Sequence, residues 1–446
     1  MKIKTISRLE EHYTRDCKTD VVKIHRNLDP KLHPFEKARE YGRALQATKL
    51  DKMFAKPFIG ALDGHTDGVF CTATSPKNLV QFLSGACDGE VRVWDLSRRA
   101  CVWKAAAHTG FVRGVAVTPD GRSFLSAGDD GLVKRWDLAI ASDLEERPRP
   151  TAQWTGKMGF RALDHHWGDA TFATASDAVE LWDAERAEPT HAFRWGADAV
   201  NSVRFNPAER CLLASTGSDR GAALYDARAA APLRKVFLRM RSNGVAWNPR
   251  VPAQFALACE DHCAYTFDVR RLGAALVVHK DHVGAVMAVA FSPTGRELAT
   301  AGYDRTLRIF GARDGRSREV YHTQRMQRAF CVAYSADARY VLSGSDDTCV
   351  RIWKARASER LGAIVPREAR RLRYLDTLKR RYADMPDVRR IAKHRHVPRA
   401  VRGAARAEGV QRDKAKRKAD NVRRHAKDGG DAPVPERRRR VIAEQT

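Results

Sequence analysis

The stretch SGACDGEVRVWD, residues 84–95, recurs in altered form through most of this 446-residue chain. A run of small residues precedes an aspartate, and an aromatic residue follows six positions later, as Asp88 and Trp94 do here. Six further copies place the aromatic residue at 136, 182, 225, 267, 310 and 353, so the separations are 42, 46, 43, 42, 43 and 43 residues. So steady a period indicates repeated structural units stacked against one another.

Each period also has an upstream half, such as VRGVAVTPDG at 112–121, that alternates like a half-buried strand and ends in a turn. Three or four short strands in forty-odd residues are typical of one blade of a β-propeller. Seven copies therefore predict an all-β, seven-bladed propeller over residues 57–354. An N-terminal arm, 1–56, and a C-terminal extension, 355–446, lie outside it.

Two dipeptides in the first period, Gly64-His65 and Trp94-Asp95, resemble the signature of the WD-repeat family. His108 and His282 occupy the position of His65 in the second and sixth periods. The resemblance implies that the first blade buries a hydrogen-bonded set, made of His65, Ser84, Asp88 and Trp94. It gives the same structural role to the corresponding residues of other blades, namely Asp130, Trp136, Asp304, Asp347 and Trp353. Pairing of buried polar groups fixes one geometry, so we interpret this set as structural and not catalytic.

The resemblance also implies how the ring closes, because the segment 57–62 would supply the outer strand of the last blade. Closure of this kind removes exposed sheet edges. The third, fourth and fifth periods depart from the family pattern, since they lack the Gly-His dipeptide. The third also has one residue fewer between Asp177 and Trp182, so we expect these blades to be less regular.

Positive charge is concentrated outside the propeller. The net charge of the chain is +26, of which residues 355–446 carry +16, residues 1–56 carry +6 and the repeats only +4. A balance of this kind favours polyanionic partners. The N-terminal arm contains a predicted helix over 36–54, with Ala38, Tyr41 and Leu45 on one stripe. This arm either packs within the protein or reaches a partner, and the sequence favours neither.

The C-terminal extension begins with a predicted amphipathic helix that carries Leu372, Leu375, Leu378 and Tyr382. A second helix is predicted to begin near Pro386 and to end before Pro398. The last third is polar on every face, so a helix there is marginal by itself and would order against an anionic surface. Two alternatives stay open: a merely solvated run of charge, or import signals at 414–418 and 437–440.

The segment RYADMPDVRRIAKHRHVPRAV, residues 381–401, closely resembles the SOF domain, and KRKADNVRRHAK at 416–427 is similar to its end. The stretch that begins at Leu28 looks like the leader of the same family, so the resemblance covers nearly the whole chain. Membership of the SOF family implies a non-catalytic scaffold of the nucleolar small-subunit processome. Its expected partners are pre-ribosomal RNA, the U-three small nucleolar ribonucleoprotein and other processome proteins. Its expected role is in pre-18S ribosomal RNA processing and 40S subunit assembly.

Cations of the C-terminal extension are the candidates for contact with RNA phosphate. We expect charge and shape to be recognised, because the extension has no patterned aromatic platform for stacking bases. The candidates are Arg389, Arg390, Lys393, Arg395, Arg399, Lys414, Lys416, Arg417, Lys418, Arg423 and Arg424. Val388 and Ile391 would dock the same segment through its apolar side.

A second hypothesis is a substrate receptor of a cullin-RING ubiquitin ligase. Receptors of that class with WD repeats often carry Trp-Asp-x-Arg just after a third strand. The segments Tyr225–Arg228 and Phe267–Arg270 are degenerate matches in consecutive blades, and both lack the tryptophan. Arg228 and Arg270 would then contact the ligase adaptor, although so short a motif has low specificity.

Other functional classes find little support in the sequence. No apolar run is long enough to span a membrane, and the start of the chain has no secretory signal. The nine scattered cysteines are expected to be reduced, which indicates an intracellular compartment. The resemblance to the SOF family implies the nucleus and nucleolus. Cys259 with Cys263, and His394 with His396, lack further ligands, so no metal is expected. Phosphate-loop and hydrolase motifs are absent, and we expect neither an enzyme, a cofactor nor a small-molecule substrate.

Overall fold

The computed structural model describes residues 29, 32, 34–138, 148–195, 199–229, 231–425 and 434–445. These residues form two compact units. One contains the helices of the N-terminal arm and of residues 358–394, and the other contains residues 56–357 and 395–446. The three ranges predicted from the sequence divide the chain differently, and they remain a prediction. In the described parts of the chain, no helix is both long and apolar enough to cross a membrane.

The larger unit contains seven antiparallel sheets, and one strand from near the start of the repeats belongs to the last of them. That strand is β1 (Phe58–Leu62). Blade one is formed by β2 (Val69–Thr74), β3 (Gln81–Ala86), β4 (Glu90–Asp95) and β5 (Ala100–Ala106). Blade two is formed by β6 (Val112–Val117), β7 (Ser123–Gly128), β8 (Leu132–Asp137) and β9 (Ala152–Thr155). Blade three is formed by β10 (Ala162–His165), β11 (Thr171–Ala175), β12 (Val179–Asp183) and β13 (Pro189–Phe193).

The remaining blades follow the same order of strands. Blade four is formed by β14 (Val200–Phe205), β15 (Leu212–Gly217), β16 (Gly221–Asp226) and β17 (Pro232–Leu238), and blade five by β18 (Ser242–Trp247), β19 (Gln254–Cys259), β20 (Ala264–Asp268) and β21 (Val277–His279). Blade six is formed by β22 (Val286–Phe291), β23 (Glu297–Gly302), β24 (Leu307–Gly311) and β25 (Ser317–Tyr321). Blade seven is formed by β26 (Ala329–Tyr334), β27 (Tyr340–Ser345) and β28 (Val350–Lys354), followed by β1. A last strand, β29 (Val441–Gln445), adds a fifth strand to blade four.

The ring closes as the sequence predicts. β1 pairs antiparallel with β28, with Leu62 opposite Val350 and Phe58 opposite Trp353. The innermost strands lie side by side around the ring, and β26 lies against β2. Blade sheets pack face to face through apolar side chains, among which Trp94, Trp182 and Trp353 are almost completely buried. The seven-bladed propeller is therefore confirmed, and its core lies between successive blades.

The described residues also form five helices: α1 (Glu36–Met53), α2 (Pro366–Arg381), α3 (Pro386–Ala392), α4 (Arg399–His425) and α5 (Glu436–Arg439). Proline at the first turn begins α2 and α3, where its missing N–H costs no hydrogen bond. α1 lies against α2 and α3 and buries Ala44, Ala47 and Thr48. Ala38, which the sequence pattern placed on the inner stripe, is instead exposed.

Candidate nucleic-acid interface

Blade two contains the complete hydrogen-bonded set that the repeat pattern implies. Nδ1 of His108 lies 2.9 Å from Asp130, and its Nε2 lies 2.8 Å from Oγ of Ser126. The indole N–H of Trp136 donates to the same Oγ at 3.0 Å. Burial lowers the pKa of His108, which keeps a neutral ring in the middle of the set. Blade six repeats the arrangement with His282, Asp304 and Thr300, and Phe310 there replaces the tryptophan.

Blade one has only part of the expected set. His65 lies 2.6 Å from Oγ of Ser84, and Trp94 donates to Ser84 at 2.7 Å. Asp88 instead accepts hydrogen bonds from the backbone N–H and hydroxyl of Thr66, at 3.2 and 2.7 Å. Among the described residues, Nδ1 of His65 has no hydrogen-bond partner. Burial, with the nearby Arg92 guanidinium, lowers the pKa of His65 to about 4.

At the same corner of blade one, three side chains that could ligate a metal ion lie close together. Donor atoms of His65, Asp88 and Glu90 lie within 4.8 Å of one another. Glu90 is however ion-paired with Arg92 at 2.7 Å, and that cation would repel a metal ion. The arrangement is better explained as the polar end of a blade than as a metal centre.

Other blades supply a different partner for the turn aspartate. In blade four, Nζ of Lys235 lies 2.5 Å from Asp219, and both side chains are largely buried. In blade seven, Arg351 forms an ion pair with Asp347, while Trp353 donates to Ser343 at 2.9 Å. The turn aspartates thus stabilise the blades through local ion pairs and hydrogen bonds.

The turn aspartate of blade five receives its cation from the far end of the chain. Asp261 accepts a hydrogen bond from the hydroxyl of Tyr265, and Nη1 of Arg440 lies 3.4 Å from the same carboxylate. The Asp261 side chain is only 5% exposed. Because an isolated buried carboxylate is costly, Arg440 compensates for the histidine that blade five lacks.

The end of the chain is bound to blades four and five by main-chain hydrogen bonds. β29 pairs antiparallel with β17, with Val441 opposite Leu238 and Glu444 opposite Val236. The N–H of Arg239 donates to the carbonyl of Arg440 at 3.0 Å. The N–H of Ala275 donates to the carbonyl of Arg437 at 3.0 Å. The sequence pattern did not predict this strand.

Two contacts fix the segment that leads from α3 into α4. Nη1 of Arg395 lies 2.8 Å from Asp281 and 3.2 Å from the hydroxyl of Ser317. The ring of His396 stacks on that of His322, with 3.1 Å between their nearest nitrogens. Arg395 was a candidate for phosphate contact, but its guanidinium is engaged with a propeller carboxylate.

The remaining candidate cations are mostly exposed. α3 buries Val388 and partly buries Ile391, which leaves Arg389, Arg390 and Lys393 on the outside. α4 is a continuous helix of 27 residues, although the sequence pattern predicted only a marginal helix there. It buries no side chain. Arg390 and Arg423 have acidic neighbours, Asp387 at 3.7 Å and Asp420 at 3.1 Å. The candidate cations of α4 that face solvent are Arg399, Lys414, Lys416, Arg417, Lys418 and Arg424.

The two arginines of the degenerate ligase motif lie in the turns that follow the third strands of blades four and five. Arg228 makes two side-chain hydrogen bonds to Asp226, at 3.2 and 3.1 Å, and its side chain is 76% exposed. The backbone N–H of Arg270 donates to Asp268 at 3.0 Å, and the residue is exposed. Both side chains are accessible to a partner.

Comparison with known proteins agrees with both parts of the chain. Residues 355–441 match the Sof1-like domain, and residues 56–95, 99–137, 273–311 and 321–354 match the WD domain, G-beta repeat. The chain is 47% identical over 444 residues to DDB1- and CUL4-associated factor 13 of Xenopus laevis, with 99% of each chain covered. The Homo sapiens protein of that name is 46% identical over 444 residues, again with 99% of each chain covered. Protein SOF1 of Saccharomyces cerevisiae is 42% identical over 465 residues, covering 99% of this chain and 94% of that protein.

The chain belongs to the Sof1 family. The WD-domain matches of this Sof1-family chain cover blades one, two, six and seven, and blades three, four and five fall outside the matched ranges. Sequence reasoning found the positions that recur with the repeat, but it missed Lys235 and Arg440. Neither residue occupies a repeated position, so periodicity gave no signal for them.

Proposed function

We propose that this protein is a non-catalytic scaffold of the nucleolar small-subunit processome, which supports pre-18S ribosomal RNA processing and 40S subunit assembly. Membership of the Sof1 family supports the proposal, because the family resemblance implies this role. The observation that carries it is the exposed row of cations on α3 and α4, set against a propeller of nearly neutral net charge. The partners would be pre-ribosomal RNA, the U-three small nucleolar ribonucleoprotein and other processome proteins, in the nucleus and nucleolus.

Within this proposal the extension binds RNA and the propeller binds proteins. Cations that face solvent release condensed counterions when they meet phosphate, and this term dominates RNA affinity without reading base sequence. Arg389, Arg390 and Lys393 satisfy the requirement, since all three are exposed at the end of α3. Arg395 does not, because Asp281 already neutralises it. We therefore assign Arg395 to docking and its exposed neighbours to RNA.

Charge removal at α3 tests the proposal. We expect Arg389→Gln, Arg390→Gln and Lys393→Gln, combined in the full chain, to weaken binding to a pre-18S transcript. The slope of log affinity against log salt should fall by about 0.7 to 0.9 for each lost phosphate contact. The same protein should leave large pre-ribosomal particles and sediment in light fractions.

A matched variant controls for loss of charge alone. Arg250→Gln, Arg296→Gln and Arg313→Gln remove three exposed cations from the propeller and should leave both measurements unchanged. Equal salt slopes in the two triple variants would contradict the assignment of these cations to RNA. Retention of the α3 variant in large particles would shift the assembly role away from α3.

A second candidate function is that of a substrate receptor for a cullin-RING ligase. Several relatives are named for association with DDB1 and CUL4, and Arg228 and Arg270 are both accessible on neighbouring blades. If this function holds, Arg228→Ala with Arg270→Ala should abolish capture of the protein by purified DDB1. Arg250→Ala, in an exposed loop of the propeller, is the control. Absence of DDB1 binding by the unaltered protein would remove this candidate and leave the first intact.

A further inference from the structure

α4 carries a line of arginines along one side. An α-helix advances 100° per residue, so Arg399, Arg406, Arg417 and Arg424 lie within about 20° of a single line. All four are exposed. At 1.5 Å per residue, the line extends over roughly 37 Å. A single acid, Asp413, lies near it. The helix thus presents an extended, strongly basic edge.

The propeller fixes the direction in which this edge points. Oε1 of Glu408 lies 3.0 Å from Nδ1 of His262 in blade five. Glu408 is nine residues from Arg399, which places it about 180° around the helix from the arginine line. Val401, about 20° from Glu408 around the helix, is also partly covered. The arginines therefore face away from the propeller.

The chain is anchored on both sides of α4 as well. Before the helix, Arg395 binds Asp281 at 2.8 Å. After it, β29 pairs with β17 in blade four. Between them lies the contact of Glu408 with blade five. A helix held at three points presents its charges with little further ordering cost on binding.

We propose that the arginine line of α4 binds the sugar–phosphate backbone of duplex RNA. The proposal rests on the proposed function, and the duplex would be a stem within the ribosomal precursor. The segment 399–425 contains no Phe, Trp or Tyr, so it offers no platform for stacking single-stranded bases. A fixed row of guanidinium groups matches the fixed rows of phosphate of a duplex, whose shape and backbone proteins recognise without reading sequence. Single-stranded RNA would have to be ordered first.

Two triple variants of the full chain separate this line from general charge. Arg399→Gln, Arg406→Gln and Arg417→Gln remove it, whereas Arg412→Gln, Arg438→Gln and Arg439→Gln remove the same charge from positions outside the line. All six residues are exposed, and glutamine preserves helix propensity. Circular dichroism would verify that both variants keep their helices. The probes are an RNA duplex of about 16 base pairs and either of its strands alone.

We expect the unaltered protein to bind the duplex more tightly than the single strand. The arginine-line variant should lose roughly tenfold or more in duplex affinity, with the salt slope reduced by about 0.9 for each lost contact. The control variant should change much less. Equal losses in the two variants, or a preference for the single strand, would overturn the proposal while leaving the proposed function in place. Binding of a glutamate-rich peptide but no RNA by the unaltered protein would overturn both.

Discussion

Asp261 illustrates how single residues compensate for departures from the repeat. Its carboxylate is 5% exposed, and its partners are the hydroxyl of Tyr265, the backbone N–H of Cys263 at 3.2 Å and the guanidinium of Arg440. We expect Arg440→Gln to destabilise the propeller by about 1–3 kcal/mol, because the buried carboxylate then keeps these two neutral donors but loses the charge of Arg440. Thermal unfolding would measure the loss. Arg439→Gln removes an exposed cation from the same short helix and should unfold like the unaltered protein. Equal melting of the two variants would mean that Arg440 does not stabilise Asp261.

His279 makes the stability of blade five sensitive to acid. The ring is fully buried between the hydroxyl of Thr266, 2.9 Å from Nε2, and the carbonyl of Asp314, 2.8 Å from Nδ1. Burial lowers the pKa of His279 to about 4. The hydrogen bond with the backbone carbonyl of Asp314 acts in the opposite direction and only partly offsets the effect of burial. The folded protein therefore binds its proton less readily than the unfolded chain does. Stability is full above about pH 6.5 and is lost as the pH falls towards 4.

His279→Gln tests this dependence. The variant should melt lower than the unaltered protein at pH 7, because both hydrogen bonds are altered, but its melting temperature should fall less between pH 6.5 and 4. Thermal unfolding at several pH values in that window is the measurement. His425→Gln, an exposed histidine at the end of α4, should keep the full acid dependence. An identical pH profile for His279→Gln would assign the acid sensitivity to other groups.

At the residue scale, the sequence predicted the residues at repeated positions. It missed the residues that bind the turn aspartates where the repeated histidine is absent. Asp130, Asp304 and Asp347 follow from the period alone, and in the structure they bind His108, His282 and Arg351, respectively. Lys235 and Arg440 serve the blades that lack histidine, but they come from other positions in the chain. Spacing cannot identify such a partner, because only the fold brings it to the aspartate.

β29 is the element whose contribution is easiest to isolate. It covers the edge of β17, where Val236 and Leu238 are almost completely buried, and Val441 packs against the core of blades four and five. Deletion of residues 434–446 should expose that edge. We expect faster hydrogen exchange of the amides of residues 235–239 and a lower melting temperature.

A point variant separates the effect of main-chain pairing from that of side-chain packing in β29. Val441→Ser keeps the main chain and removes the apolar contact, so it should reproduce part of the loss in melting temperature. Ile442, the next residue, is 59% exposed, and Ile442→Ser should have little effect. Unchanged exchange at residues 235–239 after the deletion would show that β29 does not protect β17.

The two strands that leave their own repeat differ in how far the sequence could predict them. The closing strand β1 directly precedes the first repeat, and the family resemblance implied its place in the last blade. β29 follows a highly charged tail and consists of only five residues, Val441–Gln445, and its alternation is too short to select a partner. α4 also exceeded expectation, since its tertiary contacts stabilise a helix whose polar composition made it marginal alone.

The whole chain brings its two ends into separate units. α1, from the start of the chain, packs with α2 and α3 from the extension. Glu40 accepts hydrogen bonds from Arg381 at 2.9 Å and from the hydroxyl of Tyr382 at 3.1 Å, and the hydroxyl of Tyr41 donates to Asp387 at 3.1 Å. The sequence left open whether the N-terminal arm packs or reaches a partner, and within this unit it packs.

This packing makes the extension dependent on the N-terminal arm. Leu378 and Val388 are each only 2% exposed, and α1 is the helix that lies against both of their helices. Deletion of residues 1–55 should expose these side chains and remove the partners of Arg381 and Tyr382. We expect trypsin then to cleave within residues 366–392 much faster than in the full chain, because short isolated helices are marginal in water. Mass spectrometry of the early fragments would give the sites and rates.

Addition of the missing helix as a separate peptide makes the test specific. A peptide of residues 29–55 should restore protection of residues 366–392. The same peptide with Ala44→Asp should not, because Ala44 is fully buried and a carboxylate there would have to be desolvated. If residues 366–392 stay protected without the arm, or both peptides protect equally, α1 is not what holds α2 and α3 together. If only the unaltered peptide protects, the folded state of α3, the helix that we propose to bind RNA, depends on the N-terminal arm.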